Sequence, residues 1–184
     1  AGVNIFALKM GIPANQYKKV VDALKADIEA NDGHLDTGIF GTQFFFEVLA
    51  ENGMHDLAYE AMNKSEEPGY GHWLELGSTT SREQWSEEGS HNHPMFGGGL
   101  VWYYRKLAGM NTDPSLPGYR HVIFRPMPVE GIAYAEYSNL TNYGNCGIRW
   151  ENAEGKFILN IDVPVGSNAT VYIPSDNPKN ITES

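Results

Sequence analysis

At 184 residues, with 41% hydrophobic and 12% aromatic content, the chain has the bulk of one large domain or two small ones and is too apolar for a disordered polymer. Its formal charge of −10, with no basic run of five or more residues, argues against a nucleic-acid groove or an anionic membrane surface. Neutral or cationic partners fit better, and tryptophan and tyrosine, flat and apolar with a polar edge, suit the mixed faces of sugar rings.

The first apolar positions with helical spacing are Val3, Phe6, Ala7 and Met10, closed by Gly11-Ile12-Pro13. This start has no initiator Met and no basic leader, so the chain reads as a piece of something longer that opens partway along a helix. A second helix is predicted from about Ala14 to Asn31, with Asn15 as N-cap, Val20, Val21, Leu24 and Ile28 as its buried stripe, and its charges as a solvated face. The loop His34-Leu35-Asp36-Thr37-Gly38-Ile39-Phe40-Gly41-Thr42 supports two readings. Its glycines let backbone approach a ligand that His34, Asp36 and Thr37 hydrogen-bond, or it is a capping turn with Thr37 or Thr42 as N-cap.

Helices are predicted over roughly Thr42–Asn52, with Gly53 at its C′ position, and His55–Lys64. The one- or two-residue link between them makes them antiparallel neighbours, so the helical part is a succession of hairpins. Pro68-Gly69-Tyr70-Gly71-His72-Trp73 reads as a glycine-punctuated turn whose aromatics stack a ligand or enter the core.

The segment Thr79–Pro94 packs Arg82, Glu83, Trp85, Glu87, Glu88, His91 and His93 into a stretch too polar for a buried element, and long loops of this kind carry function. Two alternating histidines in a loop impose no metal geometry, so metal ligation by His91, His93, Glu83 and Glu87 is weakly supported. A serine nucleophile is weaker still, for no elbow motif precedes a helix. Acid–base carboxylate chemistry by Glu83 beside Trp85, Arg82 and His93 fits best, whereas the run at Glu87 and Glu88 reads as solvated.

From Pro94 to Ala108 a helical pattern returns, with Phe96, Leu100, Val101, Tyr104 and Leu107 on its stripe. Gly97-Gly98-Gly99 within it costs about 1 kcal/mol per glycine relative to alanine and marks close approach by another helix or a ligand. Residues 111–119 read as a linker between a helical part, 1–110, and a β part, 120–184. There the period falls to two, with strands at His121–Phe124, Ile132–Ser138, around Cys146-Gly147-Ile148-Arg149-Trp150, at Lys156–Val163 and at Ala169–Ile173: an antiparallel β-sandwich. Cys146, the one cysteine, excludes an intrachain disulfide and reads as packing. No apolar run approaches the roughly 18–20 residues of a membrane span.

His34-Leu35-Asp36-Thr37-Gly38-Ile39-Phe40-Gly41-Thr42, Glu51-Asn52-Gly53 with Asp56-Leu57-Ala58-Tyr59, Gly77-Ser78-Thr79-Thr80 with Glu83 and Trp85, and Ser90, Asn92, His93 and Gly97 resemble, in order and spacing, bacterial α-L-rhamnosidases. The likeness continues through Trp102, Tyr104, Leu107-Ala108-Gly109, Pro117-Gly118-Tyr119-Arg120 and Ile123, Arg125, Pro126, and so spans essentially the whole chain. It implies part of a six-hairpin α/α barrel followed by most of a C-terminal β-sandwich, and an inverting hydrolysis of terminal α-L-rhamnosyl bonds that requires no cofactor and no metal. It also implies Glu83 as general base, His93 and Asn92 at the sugar, and Trp85, Asp36 and Thr37 as pocket residues. The partners implied are a rhamnose-containing glycoside and an N-terminal part of the same protein that carries the general acid.

Departures from the family pattern, Tyr70, Arg82 and Gln84, are expected at the pocket rim, where they bear on which sugar is taken. The resemblance also leaves room for an inverting hydrolase of another sugar. A non-catalytic carbohydrate-binding or structural piece would gain if Glu83 pointed away from Trp85 and His93. With half a barrel uncovered, the isolated chain is expected to be inactive and to self-associate.

Overall fold

Helical periodicity over the first half and alternation over the second each produce their own element type, and a computed structural model describes residues 1–153 and 155–183. It divides into two compact units, Ala1–Trp102 and Tyr103–Ser184. Ser184, the expected end of the β part, lies outside the described residues.

The first unit contains α1 (Gly2–Met10), α2 (Ala14–Ala30), α3 (Ile39–Glu51), α4 (His55–Asn63), α5 (Tyr70–Glu75) and α6 (Gly98–Trp102), with a 3-10 turn at Pro94–Phe96. The central helix is α3, which packs against α1, α4 and α6. Its Phe45, Phe46, Val48 and Leu49 are fully buried. It ends in a Schellman motif, in which Gly53 at φ 72° lets Met54 N–H reach the Leu49 carbonyl and its own N–H reach that of Ala50.

Several local expectations are corrected. On α1 the core face is Ile5 and Leu8, while Val3 and Met10 are more than four-fifths exposed, because a helix this apolar offers two stripes and α3 packs on one of them. Asn15 lies inside α2, which starts without a side-chain cap. Neither Thr37 nor Thr42 caps α3: Gly38 holds that position, and Thr42 Oγ1 donates back to the carbonyls of Thr37 and Gly38. Pro68–Trp73 is partly helix α5, and Trp73 is core.

The triple glycine admits another helix. A Cβ on Gly98 would stand 2.7 Å from the Thr42 carbonyl oxygen and 2.9 Å from Gln43 Cα, both backbone atoms of α3. Of the stripe expected after Pro94, Phe96 is buried, but Leu100 and Val101 are about half exposed and Trp102 takes the core position instead.

The second unit opens with a π-helical turn, Tyr103–Ala108, followed by β1 (Met110–Thr112), β2 (His121–Phe124), β3 (Tyr134–Thr141), β4 (Gly144–Ala153), β5 (Lys156–Asp162) and β6 (Asn168–Val171). Strand β1 occupies the start of the stretch read as a linker. The sheets are ordered β1-β2-β6 and β3-β4-β5. Met110, Val122 and Phe124 from the first and Cys146 and Ile148 from the second share one buried cluster, so the sheets close on a common core as a sandwich. The pairing of β2 with β6 is parallel, in contrast to the other pairings described. The chain leaves the first sheet after β2, builds the second, and re-enters beside β2 in the same direction, as a crossover must.

Candidate active site

The segment after α5 folds back on itself as an irregular hairpin. Glu83 N–H donates to the Ser90 carbonyl at 2.8 Å, His93 N–H to that of Ser81 at 2.7 Å, and the Thr80 hydroxyl to that of His91. Gly89, at φ 80°, turns the return arm in a conformation that other residues rarely adopt. Arg82 is 94% buried beneath the loop, its Nε donating to Ser78 Oγ at 2.9 Å and its Nη1 to His91 Nε2 at 3.3 Å. Arg82 is therefore a brace inside the loop and not the rim residue expected from the sequence.

Glu83 is half-buried, and its Oε2 accepts the Ser90 N–H at 2.9 Å. That charge-assisted bond orients the carboxylate from its own loop. Trp85 stacks on Trp73 with ring centroids 4.7 Å apart and lies 4.4 Å from the Phe96 ring. Its indole N–H donates to the Thr37 carbonyl at 2.9 Å, while its own carbonyl accepts the Trp73 indole N–H at 3.1 Å. Tyr70 completes this cluster edge-on to both indoles and donates to the Phe96 carbonyl, so it too is packed below the surface of the site and not at its rim.

Above the cluster opens a depression of about 460 Å³, bounded by Glu83, Gln84, Trp85, Phe96, Gly38 and Glu67. A carboxylate that lines an open concavity together with an indole can take a proton from a bound water and can bind sugar hydroxyls. The structure thus brings Glu83 and Trp85 together and joins them to the 34–42 loop. Of the three departures, Gln84 bounds the depression.

The other sequence-predicted residues take different positions. Thr37 is buried, and its hydroxyl is paired with that of Thr42 at 2.7 Å, so its carbonyl is what meets the site. Asp36 is exposed. Asn92 is exposed, its N–H donating to Ser90 Oγ at 3.2 Å, and His93 is half-buried where the return arm rejoins Ser81. Glu67, Gly38 and Ile39 are lining residues that sequence reasoning missed. The Pro-Gly turn after Glu67 marked a chain reversal but not the direction it faces.

Among the described residues, no group of three histidine, cysteine, aspartate or glutamate side chains is placed to hold a metal ion. Among the described residues, no helix is long and apolar enough to cross a membrane.

A helical hairpin unit followed by a β-sandwich is the domain order of a class of glycoside hydrolases. The family model described as the bacterial α-L-rhamnosidase 6 hairpin glycosidase domain matches residues 2–107, and that of the bacterial α-L-rhamnosidase C-terminal domain matches 109–184. The chain belongs to the bacterial α-L-rhamnosidase family. It is 34% identical over 181 residues to an α-L-rhamnosidase of Streptomyces avermitilis, covering 92% of this chain and 17% of that protein. The crystal structure of the Streptomyces avermitilis α-L-rhamnosidase complexed with L-rhamnose superposes with a TM-score of 0.89 at 33% identity, over 97% of this chain and 18% of that one. That of an α-L-rhamnosidase from Dictyoglumus thermophilum gives 0.85 at 36%, over 91% and 19%. The chain therefore spans less than a fifth of the length of these relatives.

Proposed function

We propose that the protein containing this chain hydrolyses terminal α-L-rhamnosyl bonds of a glycoside or oligosaccharide with inversion, and that Glu83 is its general base. The observation that carries this reading is the Glu83 carboxylate, oriented by Ser90 N–H in the depression it shares with Trp85. Family membership and the L-rhamnose complex of the Streptomyces avermitilis relative support the choice of sugar.

In the proposed reaction Glu83 takes a proton from a water molecule. The water oxygen attacks the anomeric carbon on the face opposite the leaving oxygen, and the bond to that oxygen breaks as an acid protonates it. Inversion requires room for that water, so the two carboxyls stand roughly 6.5–9.5 Å apart. The acid comes from the part of the protein outside this chain. Trp85 offers an apolar face to the sugar, His93 and Asn92 hydrogen-bond its hydroxyls, and Asp36 and the Thr37 backbone close the side formed by the 34–42 loop. The apolar side chains exposed on the helical unit, among them Leu74, Phe40 and Val3, are covered by the remainder of the barrel.

The test is release of rhamnose from an aryl α-L-rhamnoside by the full-length protein, native and Glu83→Gln. Loss of a general base lowers kcat by about 10²–10⁴-fold, with substrate binding retained, and NMR of the first turnover shows the anomer opposite to the substrate's. A native protein that never cleaves the rhamnoside refutes the substrate. A fully active variant places the base elsewhere, and retention of configuration refutes inversion.

A further inference from the structure

Trp85, which bounds the Glu83 depression, is held by two kinds of contact. Stacking on Trp73, with centroids 4.7 Å and planes 26° apart, and the Phe96 ring 4.4 Å away fix the tilt of its indole. A stacked ring can still turn within its own plane. The bond from the indole N–H to the Thr37 carbonyl at 2.9 Å is directional and sets that rotation.

The accepting carbonyl is itself held by a buried pair of hydroxyls. Thr42, fully buried in the first turn of α3, turns its hydroxyl hydrogen to the Gly38 carbonyl at 3.0 Å and the Thr37 carbonyl at 3.2 Å. The Thr37 hydroxyl therefore donates to Thr42 Oγ1, at 2.7 Å. Gly41 lets this latch close, for a Cβ there would stand 3.0 Å from Thr37 Cβ and 3.1 Å from its Cγ2. Gly38, whose carbonyl the latch also holds, bounds the same depression.

Helix stability does not call for this arrangement. Alanine has the higher helix propensity, and a threonine hydroxyl turned back to the i−4 carbonyl slightly destabilises a helix. A buried hydroxyl pair can be exchanged for apolar groups of the same shape at nearly no cost in stability. What apolar groups cannot reproduce is the direction given to the Thr37 carbonyl.

We infer that Thr42 is a positioning residue for substrate binding: through the Thr37 carbonyl it fixes the rotation of Trp85, and so the wall of the depression that the sugar meets. The inference rests on the proposal that the sugar lies against Trp85 and does not depend on Glu83 being the base.

The full-length protein is compared with Thr42→Val, which removes the hydroxyl, and Thr42→Ser, which keeps it. Thr42→Val is expected to raise the Kd for L-rhamnose and the KM for an aryl α-L-rhamnoside about tenfold, the order of one lost hydrogen bond. Thr42→Ser is expected to restore both. The circular-dichroism couplet of the stacked Trp73 and Trp85 indoles is expected to weaken in Thr42→Val alone of the two. Trp85→Phe removes the N–H that the latch orients, so adding Thr42→Val to it is expected to weaken binding no further, whereas a merely structural loss would add in full. Native binding by folded Thr42→Val, or an additive loss in the double variant, overturns the inference. Should Thr42→Val fail to fold, Thr37→Val, which removes the partner hydroxyl at a less buried position and keeps the carbonyl, decides by the same measurements. A native protein that binds no rhamnose refutes the sugar reading instead, and the indole couplet then decides the latch, an unchanged couplet overturning it.

Discussion

Asp113 shows how one side chain joins separate stretches of the β unit. It accepts the hydroxyl and the N–H of Ser115 at 2.7 and 2.8 Å, and its other oxygen lies 2.7 Å from His121 Nδ1. The far nitrogen of that imidazole lies 2.9 Å from the Thr170 hydroxyl, so the turn after β1, strand β2 and strand β6 are clipped together. The Ser115 hydroxyl first, then His121 and the Ser115 N–H, hold the Asp113 carboxyl down to about 2 from 3.8. A carboxylate depressed in the folded state stabilises it above its unfolded value, and that stability is lost as pH falls through the folded value. The melting temperatures of the native chain and Asp113→Asn are therefore expected to differ most above pH 3.8 and to converge as pH approaches 2. A gap unchanged across that interval would show that the ionised carboxylate is not what the clip uses.

At the scale of elements, Gly98 and Gly99 make a paired test of how α6 meets α3. Alanine gains about 1 kcal/mol of helix propensity over glycine at either position. At Gly98 the new methyl would meet α3 backbone, which cannot turn aside, and such overpacking costs about 1–3 kcal/mol. At Gly99 it would meet the Met62 methyl, the far end of a side chain with three rotatable bonds. Gly98→Ala is thus expected to lower the melting temperature more than Gly99→Ala, and equal effects would mean that α3 backbone is not the obstacle. The sequence marked this run as a close approach but left helix and ligand as equal partners, because glycine reports missing volume and not its occupant. Periodicity made α2, α3, α4 and the longer strands legible, since each has one dominant buried face. It failed on α1, whose apolar residues surround the axis, and on α5, whose start is hidden by Pro68 and the glycines. The parallel match of β2 with β6 rests on a return across the whole second sheet, which no local pattern encodes. The site was legible as a loop of chemistry-bearing residues with Glu83 and Trp85 at its centre. The bond from Trp85 to Thr37, the burial of Arg82 and the facing of Glu67 into the depression were not, because each depends on where two segments distant in sequence meet.

At the scale of the whole molecule, the helical unit exposes several large apolar side chains. Val3 is 85% exposed, Leu74 73%, Phe40 62% and Leu100 53%. Exposed apolar surface marks an interaction face where it forms a contiguous patch of more than a few hundred Å². In relatives more than five times as long, the rest of the polypeptide is available to cover it. The isolated 184-residue chain is therefore expected to associate, sedimenting as species larger than its 20.4 kDa and binding a hydrophobic dye, with the excess mass reduced by Leu74→Glu with Leu100→Glu. Charges at those positions face solvent in the lone chain, so they leave its helicity unchanged. The same chain is expected to release no rhamnose, because protonation of the leaving oxygen has no donor among the residues assigned here to the site. A stable monomer at the concentrations used for crystallisation would show that these side chains do not form an adhesive face. Turnover by the isolated chain would place a working acid on it, with Glu67, the other carboxylate bounding the Glu83 depression, the first residue to replace.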